Sequence, residues 1–407
     1  MKVLLVTNVN IASNPRCHKE VMALTNAGHQ VSVLKFNTNN WSVSFEKEIE
    51  ANYPGVNWIK LPDKSQNLFI WVVASIVQLY SKYFVRAGIR TAKNIACYLD
   101  KRSYMLNRKL RQITTQYDLV IAHNPGTFWP VSNYALKKHV KYAIDVEDYH
   151  PGEYQDVHTE RCMRMLMQQT LNNAVYVSCA SPLIAQHTAK DIGTADKVHT
   201  INNVFPKTLQ PLFKNRETTV DSLRLVWFSQ YIGLDRGLDD IIEAMNVLHD
   251  FSITLTLIGY ANDTVQQMIN EQLKNKKHNI VIKSAMPEKE LLEEVSLHDV
   301  GLALEKSPNL NRRLCLTNKL FTYLLCGNAI IASDTEAQKT FLSQYTGVGK
   351  VYNSGDITQL AALLSDFYNN QETLYKYRSA SYTLASATMN WDIEQHKFLA
   401  LVSKAGE

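Results

Sequence analysis

The stretch from Val300 to Asp334 constrains the chain most. It reads as an apolar run (Val300 to Leu304), a polar loop bearing Arg312 and Arg313, a helical pattern that begins after Thr317 and Asn318 and stops at Gly327, and a second apolar run from Ala329 to Ser333. Glycine suits the residue after a helix because it enters the left-handed region without strain. Strand, loop, short helix and strand in immediate succession describe one turn of a parallel α/β sheet. In such sheets ligands bind beyond the carboxyl ends of the strands, and the N–H groups at helix starts suit phosphate. Thr317, Asn318 and Lys319, with Arg312 and Arg313 beside them, have the composition of a diphosphate cradle. The same residues would also make an ordinary cap with solvated charges, and both readings stand at this point.

At 407 residues the chain exceeds one ordinary core and suits two domains. Its six cysteines are far apart, with no C-x-x-C pair, which points to a reducing cytosol and away from a disulfide frame or structural zinc. The opening MKVLLVTNVN turns polar after an apolar run of about five residues, so it reads as a first buried strand and not as a signal sequence.

Charge is concentrated in one region. Nine of the 43 basic residues fall between Ile76 and Gln112 (Lys82, Arg86, Arg90, Lys93, Lys101, Arg102, Arg108, Lys109, Arg111) against one of the 38 acids, Asp100. The surplus of +5 is therefore local. Just before it lies LFIWVVASIVQLYSKYFV (Leu68 to Val85). Its unbroken apolar core is about a dozen residues, short of the roughly 20 a membrane span needs. Lys82, Arg86, Arg90 and Lys93 recur at spacings expected for one helical face, with Trp71, Tyr80, Tyr83 and Phe84 nearby. Such a segment can lie in an anionic membrane interface or form a buried helix with a solvated basic face. No nucleic-acid motif accompanies the charge.

In chain order, KVLLVT reads as a strand, Arg16 to Ala27 as a helix ended by Gly28, and QVSVLKF as the next strand. The turn after the first strand is NVNIASNPR, without the G-x-G-x-x-G of a nicotinamide dinucleotide site. DLVIAH and YAID read as further strands. After the second, DVEDYHPGEY gathers Asp145, Glu147, Asp148, His150 and Glu153, a density of carboxylates suited to acid/base work, hydroxyl binding or simple solvation. Its histidines lack a metal-ligand spacing. A helical pattern through Met163 to Leu171 and the strands YVSCAS and VHTINN complete one α/β half. The polar run from Pro206 to Ser222 reads as a linker. LRLVWFS, TLTLIG and NIVIKS then begin a second half.

Taken in order, these segments resemble a GT-B glycosyltransferase of family 4. NPRCHKEVMALTNAGHQVSVL is similar to the family's opening, HTINN to its strand before the hinge, and LVWFSQYIGLDRGLDDIIEAM to its phosphate loop. NKLFTYLLCGNAIIASD is similar to its diphosphate-binding helix and NWDIEQHKFLALV to its closing helix. The resemblance implies two Rossmann-like domains facing across a central cleft: an acceptor domain over 1–205, a nucleotide-sugar domain over 206–388, and a C-terminal helix over 389–407 that returns to the first. It implies metal-independent transfer from a nucleotide-diphosphate sugar, with retention, to a saccharide acceptor. The basic amphipathic segment in the acceptor domain suggests a lipid-linked saccharide acceptor at the cytoplasmic membrane, as in surface polysaccharide assembly. By position, Ser229, Gln230, Arg236, Gly237, Thr317, Asn318, Lys319 and Thr322 fall on the donor side, and Ala285 and Met286 on the base-binding turn. Arg16, His123 and Glu153 fall on the acceptor side, and Glu147 and Asp148, with Arg236, on the catalytic side. The family's pair of glutamates is replaced by Leu314 and Thr322, which makes Glu305 a candidate hydroxyl acceptor.

Overall fold

The computed structural model describes residues 1–38, 42–214 and 222–407, with the Asp235 side chain left aside. Much of the expected linker, 215–221, thus lies outside the described residues. The chain divides into two compact units, one made of Met1–Asn202, Asn309–Asn311 and Gln395–Glu407, the other of Asn203–Pro308 and Arg312–Glu394.

The first unit contains β1 (Lys2–Thr7), β2 (Gln30–Asn37), β3 (Asn57–Pro62), β4 (Leu119–His123), β5 (Lys141–Val146), β6 (Val177–Cys179) and β7 (Val198–Thr200). They form one sheet in the order β3-β2-β1-β4-β5-β6-β7, every pairing parallel. The second contains β8 (Ser222–Tyr231), β9 (Ser252–Tyr260), β10 (Asn279–Lys283), β11 (Val300–Ala303), β12 (Ala329–Ser333) and β13 (Gly349–Tyr352), in the order β10-β9-β8-β11-β12-β13 and again all parallel. Both are Rossmann-like. Strand order reverses between β1 and β4 in one unit and between β8 and β11 in the other, and the carboxyl ends at such a switch point are where an open α/β sheet binds ligands.

The continuous apolar runs anticipated these strands, because a parallel sheet is covered on both faces. Apolar side chains of β8 and β11 point alternately into two cores, Leu225 and Leu302 into one, Val226 and Ala303 into the other. The helix Asn318–Cys326 lies on the second core, with every residue from Lys319 to Cys326 buried. Gly301 permits this: a Cβ there would fall 2.2 Å from the Tyr323 ring. The Tyr323 hydroxyl donates to the Leu302 carbonyl at 3.1 Å, and Gly327 ends the helix at φ +69°. Burial of Leu320, Phe321, Leu324 and Leu325 is worth roughly 1.5–3 kcal/mol each, so the start of this helix is held firmly against the sheet.

Two sequence expectations change in the Ile76–Gln112 region. The apolar segment forms a helix of 19 residues, Leu68–Arg86, which by length and composition is able to cross a membrane, so it is not too short. The basic face expected to run through Lys82, Arg86, Arg90 and Lys93 is interrupted. Gly88 adopts φ +91° and turns the chain, leaving Arg90 between helices and Lys93 in the next helix, Ala92–Leu99. A third helix, Arg102–Gln112, carries Arg102, Arg108, Lys109 and Arg111, with Lys101 just before it.

Candidate functional site

A cavity of about 320 Å³ opens at the switch point of the second unit. The carboxyl end of β8 contributes Phe228, Ser229 and Gln230; the segment after β10 contributes Ala285 and Met286; the segment after β11 contributes Glu305. Thr317, Asn318 and Lys319 enter from the helix start, Arg236 from a 3-10 turn over Leu234–Arg236, and Arg312 from a short helix over Leu310–Leu314, in place of the loop expected from sequence. One part of the lining is apolar (Phe228, Ile258, Met286, Leu291) and another is cationic (Arg236, Arg312, Lys319).

Glu305 organises the cationic part. It is 2% exposed, and its backbone is clamped to Ser333, whose Oγ accepts from the Glu305 amide at 2.9 Å and donates to its carbonyl at 2.8 Å. Its carboxylate accepts from Lys319 Nζ at 2.8 Å and from Arg236 Nη2 at 3.0 and 3.3 Å, and Arg312 Nη1 lies 3.6 Å away. Burial would raise the Glu305 pKa, but Lys319 and Arg236 outweigh it and hold the group below the usual glutamate value. Lys319 is shifted down, first by burial and further by Arg236 and Arg312, against the pull of Glu305. Three cations on one carboxylate leave a net positive floor. The oxygens of Glu305, the candidate hydroxyl acceptor, are engaged by these cations.

Two polar features of the lining lack partners. Thr317 is the N-cap residue, yet its side chain makes no capping bond, and its Oγ1 is buried without a partner. Arg236 Nε is likewise buried without an acceptor. An ordinary cap would have used the Thr317 hydroxyl on the first-turn amides, as Thr335 does for Gln338 in a neighbouring helix. Helix-start amides beside cations are a combination suited to an anion.

Of the donor-side residues named from sequence, Ser229, Gln230, Arg236, Ala285, Met286, Glu305, Thr317, Asn318 and Lys319 line this cavity. Gly237 does not; at φ +82° it starts the helix Leu238–Val247. Thr322 is 1% exposed and Leu314 fully buried, and neither lines the cavity. The cavity residues that sequence reasoning missed are the apolar ones, Phe228, Ile258 and Leu291, which a linear sequence presents as ordinary core.

The acceptor-side residues, and Glu147 and Asp148 of the catalytic-side ones, belong to the first unit, whereas Arg236 belongs to the second. Arg16 is fully buried; its Nε meets both Asp145 oxygens at 2.9 and 2.8 Å, and its Nη1 donates to the Ile201 carbonyl at 2.6 Å. His123, 1% exposed, lies 3.0 Å from Glu20 and 3.5 Å from Asp145. Ser178 donates to Asp145 at 2.6 Å. Burial disfavours every charge here, yet Arg16 and His123 outweigh it and keep Asp145 well below the carboxylate range. Cys17, Glu20 and Asp145 likewise outweigh burial and hold His123 well above 6.5. Arg16 and His123 are thus interior braces, out of reach of a dissolved acceptor. Glu20, His123 and Asp145 come close enough to be counted as a metal-ligand set. In this structure Arg16 engages both Asp145 oxygens.

Glu147 and Asp148 follow β5 directly. Burial, Asp148 and Asp145 push Glu147 above the usual glutamate value. Asp148 accepts from Asn311 Nδ2 at 2.9 Å, and Glu153 contacts His150 Nδ1 at 2.9 Å. Asp145 is not part of this loop: it sits inside the sheet on β5.

No protein-family model matches the chain, and no curated protein sequence does. Solved structures do. HepE of Anabaena in complex with UDP-glucose is similar over 99% of this chain and 100% of its own, at 12% identity and a TM-score of 0.68. Sucrose-phosphate synthase of Thermosynechococcus elongatus is similar over 99% of each chain, at 13% identity and a TM-score of 0.62. A protein assigned as a UDP-N-acetylglucosamine 2-epimerase, from Listeria monocytogenes, covers 100% of this chain with 96% of its own, at 10% identity and a TM-score of 0.60. At such identities the likeness is one of fold, and the fold is GT-B, with two Rossmann-like α/β units.

Proposed function

We propose that the protein is a glycosyltransferase that takes its sugar from a nucleotide-diphosphate donor held in the second unit. The observation that carries this reading is the two-part cavity at the β8/β11 switch point, apolar where a nucleobase would lie and cationic where a diphosphate would lie. In glycosyl transfer the difficult charge develops on the departing diphosphate. Fixed cations and helix-start amides stabilise such charge without reorganising. Arg236, Arg312 and Lys319, with the amides near Thr317 and Asn318, supply both. Ala285 and Met286 meet the base, and Ser229 and Gln230 approach the sugar diphosphate.

The finer reading is a family 4, retaining hexosyltransferase that requires no metal. In it the leaving phosphate helps deprotonate the acceptor, Glu147 and Asp148 position hydroxyls at the reacting carbon, and Glu153 lies on the acceptor side. Arg16 and His123 act as positioning residues that fix the end of β5. The acceptor is a saccharide on a polyprenyl-diphosphate carrier in surface polysaccharide biosynthesis, and the protein works at the cytoplasmic side of an anionic membrane, approached through 68–112.

Thermal shifts with uridine, guanosine and adenosine diphosphates, followed by donor turnover with the matching sugar nucleotides and a lipid-linked acceptor, test the reading. One diphosphate stabilises the protein, and its sugar nucleotide is consumed with or without chelator. No stabilisation by any of them refutes it. The likeness to the Listeria protein favours a second reading, epimerisation of the donor, and a C2 epimer in place of a glycoside would select it. Leu314 and Thr322, standing where the family has glutamates, favour a third, binding without turnover, marked by stabilisation with no product.

A further inference from the structure

The helix Leu68–Arg86 has two unlike sides. Along one, Ala74, Ser81 and Val85 are buried. Trp71 Nε1 donates to the Pro62 carbonyl at 3.1 Å, and Gln78 Nε2 to the Tyr98 carbonyl at 3.0 Å. Lys101 Nζ donates to Ser75 Oγ at 3.2 Å and lies 5.3 Å from the centre of the Trp71 ring. The other side carries Phe69, Val72, Ile76, Leu79, Tyr80 and Tyr83, of which Phe69 is 76% exposed and Leu79 and Tyr83 are each 69% exposed. Their spacing of three, four, three, one and three residues keeps them on one face of a 3.6-residue helix. A contiguous apolar face of this kind on an otherwise polar surface marks an interaction site.

Two further observations identify the partner. The helix has no acidic residue, and Lys82 and Arg86 stand at the margin of the apolar face. Long basic side chains beside an apolar face place their charge at lipid phosphates while the stems stay in the apolar layer. Exposed tyrosines suit the same boundary. A second copy of the helix would meet these cations with more cations and no carboxylate.

We propose that this face inserts into an anionic phospholipid bilayer with the helix lying in the membrane plane, apolar residues in the acyl boundary and Lys82 and Arg86 at headgroup level. At 19 residues the helix is about 28 Å long and matches a bilayer core. Contacts from Trp71 to Val85 nevertheless tie its inner side to the first unit along most of its length. Spanning would tear those contacts away; in-plane insertion keeps them. The proposal deepens the peripheral-membrane part of the function proposed above and rests on it, and it replaces a basic stripe with an apolar face as the main source of binding.

Flotation with phosphatidylglycerol-containing vesicles and with pure phosphatidylcholine vesicles tests it on the full chain. Wild type floats with the former. Phe69→Ser/Leu79→Ser/Tyr83→Ser lowers the partition coefficient about 10²-fold. Lys82→Gln/Arg86→Gln lowers it about tenfold and removes the preference for anionic lipid. Alkaline carbonate strips wild type from the vesicles. Circular dichroism and stabilisation by a nucleoside diphosphate, read on the same variants, establish that they are folded and separate this proposal from the donor-site reading. No flotation of wild type, undiminished flotation of the triple variant, or resistance to carbonate overturns the proposal. So does a wild-type dimer that the triple variant dissolves without any lipid binding.

Discussion

The two Rossmann-like units treat the same topological position in opposite ways. At the β1/β4 switch point the buried charges are paired with one another, with Glu20 Oε1 left without a hydrogen bond. Arg16 is spent on Asp145, His123 on Glu20 and Asp145, and the asparagine-rich turn closes on itself, with Asn14 Nδ2 and Thr7 Oγ1 both donating to Asn124 Oδ1 at 3.0 and 3.1 Å. At the β8/β11 switch point three cations share Glu305, and a hydroxyl and a guanidinium N–H lack partners. Topology permits a ligand site at both. The difference lies in charge balance: the first constellation pairs its buried charges, whereas the second leaves cations in excess over its one carboxylate.

The comparison breaks most visibly if the first constellation proves dispensable. Arg16→Met removes the partner of a buried carboxylate and costs about 3–5 kcal/mol in denaturant titration; a variant as stable as wild type would show that the pair does not brace the unit. Arg236→Ala has the complementary signature, turnover reduced roughly 10²-fold or more with little change in melting temperature. Near-native transfer by that variant removes Arg236 from the site. Glu305→Gln sharpens the contrast. Without the shared carboxylate the cations repel one another, so in anion-free buffer the variant melts below wild type by an amount on the order of 1–3 kcal/mol. Inorganic pyrophosphate then raises its melting temperature by more than it raises that of wild type; equal shifts would show that Glu305 does not organise the cations. The smallest effect is pH-dependent. His123 has a folded pKa raised above 6.5, so its contribution is complete below that value and is lost as pH rises through the folded value. Wild type therefore loses stability toward alkaline pH more than His123→Gln does, and parallel melting profiles would contradict this.

Much of the second unit was legible because its signals are local. The run from Val300 to Ser333 announces strand, helix and strand by apolar pattern and by Gly327, and nine of the donor-side residues named from it and its neighbours line the cavity. What Glu305 does was not legible. Its neighbours in sequence are Leu304 and Lys306, whereas its partners come from 69 positions before it and 14 after. Arg16 misled for the same reason: an arginine beside a turn looks the same whether it faces a ligand or an aspartate 129 residues away. The helical break at Gly88 was available in the sequence, since glycine between two basic helical segments is a stop signal. The regular spacing of the lysines and arginines concealed it.

The missing side chain at Gly301 has a consequence for how this site can diversify. With only hydrogen there, the Tyr323 ring rests on the β11 backbone, and the start of its helix cannot back away from the sheet to admit a bulkier group. A change in the shape of the cavity must therefore come from its other wall, around Ala285 and Met286, while the helix-start side stays fixed.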